Sequence, residues 1–297
     1  MSRWLTALAW FAFNGVIASC QPPSASDPSS ASGDGLPGVD TSALTRSERE
    51  IWSELVTEQL APCSNVPSSI ADCVRSNAPC GGCKPAAELL AKQVQRGKSK
   101  AQAERIYHVR FDEKARQNID IAGSPSKGKD NAPITIVEWA DFECAFCQKA
   151  APVIEEQSKR LGEKVRVVFK HFPIAKHPHA VEMAKFAVAA QNQGKFWEAY
   201  PRLFAGEGGN WDTPGIANLS AKLGLDGAKL EADMLSPATE ERLSRERTQA
   251  DQLGLKGTPF IWINGRKFDF DLFDLEEDLP GWLDTELYLQ AGGSKAQ

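Results

Sequence analysis

The chain has 297 residues, of which 42% are hydrophobic and 25% charged, and a formal net charge of −5. That length holds one large domain or two modest ones. The mildly acidic balance gives no sign of a nucleic-acid binder, which would need a clustered basic face. Beyond the N-terminus no apolar run approaches the roughly 18 residues that a membrane-spanning helix needs.

The first twenty residues stand apart. Arg3 gives a positive start, Trp4 to Ile17 is apolar except for Asn14, and small residues Ala18 and Ser19 precede Cys20. Residues 1–19 read as a secretory signal peptide. The ending Ile17-Ala18-Ser19-Cys20 resembles a bacterial lipobox. It implies a lipid on Cys20, an anchor in a membrane, and a periplasm-facing lipoprotein of the bacterial cell envelope. The plainer alternative is an ordinary cleaved signal with a chance cysteine. Setting Cys20 aside leaves six cysteines, an even number suited to an exporting compartment where disulfides persist. Gln21 to Asp40 is rich in Pro, Ser, Gly, Ala and Asp, so residues 20–42 are expected to form a flexible tether.

Helical spacing of Leu44, Ile51, Leu55 and Val56 predicts a helix that Pro62 ends. Residues 61–85 hold four cysteines among Pro, Asn, Ser and Gly. A second helix is expected from Pro85 to Val94, closed by Gly97, and a third from Ser99 carrying Ala103, Ile106 and Tyr107. Residues 43–118 thus read as a small cysteine-stapled helical module, set off by the basic, polar stretch Ser124 to Lys129. From Pro133 the pattern changes. Ile134 to Ala140 is β-branched and apolar, a buried strand. A helix follows Cys144 and stops at Gly162, and Val165 to Phe172 is another strand. Residues 179–253 read as helices throughout. Phe260 to Ile263 returns to strand, Asn264-Gly265 is a hairpin turn leading to Arg266–Phe268, and a helix over Leu275 to Leu289 follows. The β-α-β unit demands parallel pairing with a crossover. The helical block is too long for a connection and should form its own lobe.

Cys144-Ala145-Phe146-Cys147 carries the chemistry. A zinc site would need a second ligand pair close by. As a redox pair it sits where a buried strand runs into a helix. Cys144 then lies at a helix N-terminus, where free N–H groups and the helix dipole favour a thiolate. Cys147, one turn on, can resolve a mixed disulfide. Glu138 shares a strand face with Ile134 and Ile136. Buried there, its carboxyl becomes hard to ionise and suits a proton acceptor for Cys147, the alternative being a strand-end carboxylate that reaches solvent. Thr258-Pro259 precedes a strand, the one place within a sheet where proline fits readily.

Several ordered segments resemble the DsbA-like thioredoxin family over residues 119–290. They are Ala132 to Glu138, Asp141 to Cys147, Phe169 to Pro173, His177 to Ala180, Gly194 to Trp197, Leu253 to Phe260 and Ile263 to Gly265. The resemblance implies an α/β thioredoxin fold with a helical lobe inserted at about 178–253, preceded here by the cysteine-containing helical module. It further implies Cys144 as nucleophile, Cys147 as resolving thiol, and Pro259 in cis facing them, with Thr258 exposing its backbone to an extended partner chain. No organic or metal cofactor is implied. The partners would be exported proteins with cysteines and a redox protein that recycles the pair. Two departures stand out. Ala145 replaces the usual proline, and Phe146 replaces the histidine of the strongest oxidants, so a milder oxidant is expected. His171, His177 and His179 suit capping and packing better than a metal site, and Phe186, Phe196, Trp197, Tyr200 and Phe204 fit a helical core.

Cys63, Cys73, Cys80 and Cys83 fit two structural disulfides, with a four-thiolate zinc site as the alternative. Four cysteines allow three pairings. The stretch to Ser99 resembles the helical domain of CcmH-type proteins of cytochrome c maturation, without their early C-x-x-C. Cys80-Gly81-Gly82-Cys83 could also be a second redox pair that relays electrons to Cys144. The function expected overall is thiol–disulfide exchange on exported proteins. The alternative is a membrane-tethered chaperone or partner-binding module with an idle disulfide.

Overall fold

The computed structural model describes Met1 and residues 35–292, and residues 35–292 pack as one compact unit. The expected signal peptide, the lipid-bearing Cys20 and the tether up to residue 34 lie outside the described residues.

The N-terminal part is a bundle of four helices. They are α1 (Arg46–Glu58), α2 (Ile70–Arg75), α3 (Cys83–Gln95) and α4 (Lys100–Phe111). Thr45 and Ser99 each begin a helix with a capping box, closing on Glu48 and Gln102 respectively. Trp52, Leu55, Ile70, Leu90 and Ala103 are among the side chains that fill the bundle's interior. Burying each large one contributes about 1.5–3 kcal/mol. The end of the segment expected to be a tether is packed rather than free. Leu36 and Val39 are buried in this same interior, brought in by a turn at Pro37-Gly38 in which Val39 N–H donates to the Leu36 carbonyl. Apolar side chains three apart across a tight turn can both reach a core, and a composition count does not register that spacing.

Next come β1 (Ser126–Lys127), β2 (Ile134–Ala140), α5 (Ala145–Leu161), β3 (Val165–His171), α6 (Ala180–Asn192), α7 (Phe196–Phe204), α8 (Thr213–Leu223), α9 (Gly227–Met234), α10 (Pro237–Gln252), β4 (Phe260–Ile263), β5 (Arg266–Phe268) and α11 (Leu275–Gln290). The five strands form one sheet in the order β1-β3-β2-β4-β5. β2 and β3 are parallel, with Ile134 opposite Val165, and α5 is their crossover. β4 runs antiparallel to β2 and hairpins into β5, with Asn264 and Gly265 both at positive φ. Asn264 also accepts the Thr135 N–H on its side chain at 2.8 Å, tying the turn to the start of β2.

Side chains alternate across the sheet. Ile134, Ile136, Val165, Val167, Ile261 and Ile263 face one way, against Ile154 of α5 and Leu279, Trp282 and Leu283 of α11. Val137, Trp139, Val168 and Trp262 face the other, against Ala250 of α10. The helical bundle docks on the first side. Ile106 of α4 joins the sheet's core, and Leu289 of α11 reaches the bundle's. Arg110, itself buried, pairs with buried Glu286 at 2.8 Å. α6 to α10 occupy the stretch read as a helical block, and the apolar interior of α6 to α9 is continuous with the residues around the two free thiols.

Candidate active site

The site begins where β2 ends. After Ala140 the chain turns through Asp141, Phe142 and Glu143 before Cys144 caps α5 in an extended conformation. Contacts of Asp141, Glu143 and Phe142 fix this turn. The Asp141 carboxylate accepts the N–H of Glu143 and of Ile174, each at 2.8 Å, and bonds His177 Nδ1 at 2.7 Å. Glu143 accepts the His179 N–H at 2.7 Å. Phe142 is buried and stacks on Phe169 at 5.1 Å. The segment after β3 therefore clamps the loop that presents Cys144, and a clamped loop holds a reacting atom in place.

Cys144 and Cys147 are both free thiols. Cys144 Sγ donates to the Thr258 carbonyl oxygen at 3.4 Å. The Thr258-Pro259 peptide is cis, so the site expected from the resemblance is assembled: thiol, helix N-terminus and cis proline meet. The Cys144 thiol is pulled down to about 5. A hydrogen bond from the Cys147 thiol does most, partial burial opposes it, and the Thr258 side chain and the N–H groups of Cys147 and Phe146 add to it. Cys147 is fully buried, and burial together with its bond to Cys144 pushes its thiol far up. The pair is thus split into an ionised member near the surface and a protonated member below it.

Glu138 lies on the face predicted for it and is completely buried. Burial raises its carboxyl to about 7, with Tyr200 and Lys127 pulling partly back. The Tyr200 hydroxyl donates to Glu138 Oε2 at 2.9 Å, while Oε1 has no hydrogen-bond partner. The strand-end carboxylate reaching solvent is excluded by this burial. Burial, together with the Glu138 carboxyl, pushes the Tyr200 hydroxyl well above its ordinary value, so it stays a donor. Sequence reasoning assigned Tyr200 to the core for its ring. The available signal was its hydroxyl, because a buried tyrosine needs a partner.

Phe146 projects into solvent at 70% exposure beside Pro259 and Phe270. The three histidines do not converge. His171 is buried among Phe142, Phe169 and Phe196, which pushes its imidazole well below the ordinary value. His177 pairs with Asp141, and His179 caps α6. The four N-terminal cysteines form two disulfides, Cys63–Cys80 and Cys73–Cys83. Cys80 and Cys83 are therefore not bonded to one another, which corrects the reading of Cys80-Gly81-Gly82-Cys83 as a dithiol pair of its own, and the sulfurs are not free to hold zinc.

A C-x-x-C dithiol at a strand-to-helix junction, facing a cis X–Pro that opens an antiparallel strand, defines a thioredoxin-fold protein. A family model described as Thioredoxin matches residues 121–280, just over half of the chain, and the chain belongs to that family. Among solved structures, BdbD from Bacillus subtilis is similar with a TM-score of 0.51 at 18% identity, covering 58% of this chain and 97% of that one. The α-DsbA1 of Wolbachia pipientis gives 0.51 at 15%, covering 58% and 95%. Both share the fold. A Na(+)/H(+) antiporter NhaA of Herminiimonas arsenicoxydans is 34% identical over 141 residues, which is 48% of this chain but 22% of that protein. The chain spans under a quarter of the length of that relative, so the likeness concerns one segment of it. Among the described residues no helix is long and apolar enough to cross a membrane.

Proposed function

We propose that this chain is a thiol–disulfide oxidoreductase that acts on cysteines of exported proteins, with Cys144 as nucleophile and Cys147 as resolving thiol. The observation that carries the reading is the position of Cys144: its sulfur sits at the N-terminus of α5, 3.4 Å from the Thr258 carbonyl, with its thiol lowered to about 5. At neutral pH it is a thiolate, the form that attacks disulfides. The attack joins Cys144 to a substrate sulfur and expels the other substrate sulfur as a thiolate. Cys147 then loses its proton, attacks Cys144 Sγ and releases the reduced substrate. The reverse sequence oxidises a substrate dithiol. Glu138, with its carboxyl near 7, is the group suited to exchange that proton. Thr258 and cis Pro259 present backbone to an extended chain beside the thiolate.

The value near 5 falls between the roughly 7 of thioredoxin and 3.5 of DsbA. This supports an oxidant milder than DsbA, as the uncharged Phe146 leads one to expect. The proposal extends to a periplasm-facing lipoprotein anchored through Cys20, with a redox protein that recycles the pair. Replacing Cys144 with Ser tests the reading: insulin reduction and dithiol oxidation should both be lost. Wild type that shows neither activity points instead to the partner-binding alternative. A potential as oxidising as the roughly −120 mV of DsbA would refute the milder-oxidant part.

A further inference from the structure

The two N-terminal disulfides are not spread through the bundle as isolated staples. The sulfurs of Cys73, Cys80 and Cys83 all lie within 4.8 Å of one another, although Cys80 is bonded to neither of the others. Gly82 permits this crowding. A Cβ there would stand 2.6 Å from Pro62 Cγ, so glycine lets the Cys80–Cys83 turn close against the Pro62-Cys63 segment. Access to the cluster is graded. Cys63 is half-buried and lines a surface cleft with Gly81 and Gly82, whereas Cys73, Cys80 and Cys83 are buried. A second cleft is lined by those three together with Arg75, Lys84, Glu88 and Asp284, and there Arg75 pairs with Asp72 and Lys84 with Glu88. Cys83 is also the first residue of α3, a helix of 13 residues whose N-cap, Gly82, offers no side chain to the free N–H groups. A thiolate at Cys83 is therefore favoured by those N–H groups and by the helix dipole.

We propose that this cluster is a second thiol–disulfide exchange centre, entered at Cys63 and relayed through Cys80. The external reactant is a dithiol. Its thiolate attacks Cys63 Sγ, forming a mixed disulfide and breaking the Cys63–Cys80 bond, and Cys80 leaves as a thiolate. The second thiol of the reactant, once deprotonated, attacks its own sulfur in that mixed disulfide. The reactant departs as a disulfide, and Cys63 is left as a thiolate. Cys80 then attacks Cys73 Sγ, within 4.8 Å. The Cys73–Cys83 bond breaks, and Cys83 leaves as the thiolate best stabilised in the cluster. Lower-pKa thiols leave faster, which sets this direction. Overall one dithiol is oxidised, one disulfide of the chain is reduced, and the surviving disulfide moves from Cys73–Cys83 to Cys73–Cys80. This centre works without the Cys144 pair, so its test is separable from the function proposed above.

The experiment uses the full chain with Cys20→Ser, Cys144→Ser and Cys147→Ser, so that labelling reports only on the cluster. Limiting dithiothreitol is added under native conditions, free thiols are trapped with N-ethylmaleimide, and the disulfides are mapped by mass spectrometry. The expected two-thiol species is labelled at Cys63 and Cys83 and contains a new Cys73–Cys80 bond. Label at Cys63 and Cys80 with Cys73–Cys83 intact overturns the proposal. So does full reduction without any two-thiol species. In a Cys80→Ser variant, reduction of Cys73–Cys83 should slow by roughly tenfold or more, because an intramolecular attack has been removed. An unchanged rate overturns the relay.

Discussion

Replacing Cys147 with Ala removes the hydrogen bond that does most to hold the Cys144 thiolate. A hydrogen bond to a charged group contributes about 1.5–3 kcal/mol, and about 1.36 kcal/mol moves a titration midpoint by one pH unit. The Cys144 midpoint should therefore climb from about 5 to roughly 6–7 in the variant. It should stop short of the ordinary 9.0, because Thr258 and the N–H groups at the start of α5 remain in place. At pH 7 the thiolate fraction then drops from about 99% to between roughly half and nine-tenths. The sign of the linked stability follows. A thiol whose folded value lies below its ordinary value stabilises the reduced fold fully above about pH 9 and loses that contribution as pH falls through about 5. The Ala variant should lose it at a higher pH. The ultraviolet absorbance of the thiolate across a pH series reads the midpoint directly, and the rate of alkylation by iodoacetamide checks it independently. A midpoint that does not move would place the stabilisation in the helix terminus rather than in the partner thiol. A wild-type midpoint near 9 would remove the basis for Cys144 as nucleophile.

Two further outcomes test the buried groups. Glu138→Gln should leave the fold intact and change how stability depends on pH. The Glu138 carboxyl is raised to about 7 from an ordinary 4.5, so its contribution is present below about pH 4.5 and lost as pH climbs through 7. Relative to the Gln variant, wild type should lose roughly 3 kcal/mol between pH 4 and pH 9, measured by urea unfolding of the oxidised proteins. Parallel curves would show that Glu138 is not the buried acid described here. Arg110→Ala removes the charged partner of Glu286, which is 2% exposed and keeps the Asn264 amide, and removes the guanidinium that lies 4.5 Å from the Trp282 ring. Breaking a buried pair in this way costs about 3–5 kcal/mol. A loss under about 1 kcal/mol, within the range of a surface pair, would mean that the bundle is not held to α11 by this contact.

The elements that sequence reasoning placed well have strong periodicity or an unambiguous terminus. β2 runs over Ile134–Ala140 as the β-branched run predicts, α5 stops at Gly162, and the Asn264-Gly265 turn joins β4 to β5. The face of Glu138 followed from the two-residue repeat alone. What escaped is held by partners distant in sequence. β1 is two polar residues, Ser126 and Lys127, and exists because β3 offers it an edge. Gly128 explains the fit, since a Cβ there would lie 2.3 Å from the Val165 carbonyl oxygen. α2 is six residues long among turn-forming neighbours, and its burial against α3 supplies what its short repeat cannot. The disulfide pairing needed the fold, as four cysteines permit three connectivities. The Asp141 to His177 contact joins residues 36 apart that sequence reasoning treated separately.

The arrangement around the dithiol also explains how the site manages without the histidine that Phe146 displaces. A charge at that position would support the thiolate from the solvent side. Here the support comes from beneath, from a Cys147 thiol that burial keeps protonated and therefore able to donate. Burial does most to keep the proton on Cys147, and the hydrogen bond that this proton makes does most to lower Cys144. That coupling makes the removal of the Cys147 proton the demanding step of resolution. The acceptor proposed for it is Glu138, whose Oε2 accepts the Tyr200 hydroxyl at 2.9 Å and whose value near 7 suits both taking and returning a proton. Losing the exposed charge at position 146 thus shifts the control of this site from its surface to its interior.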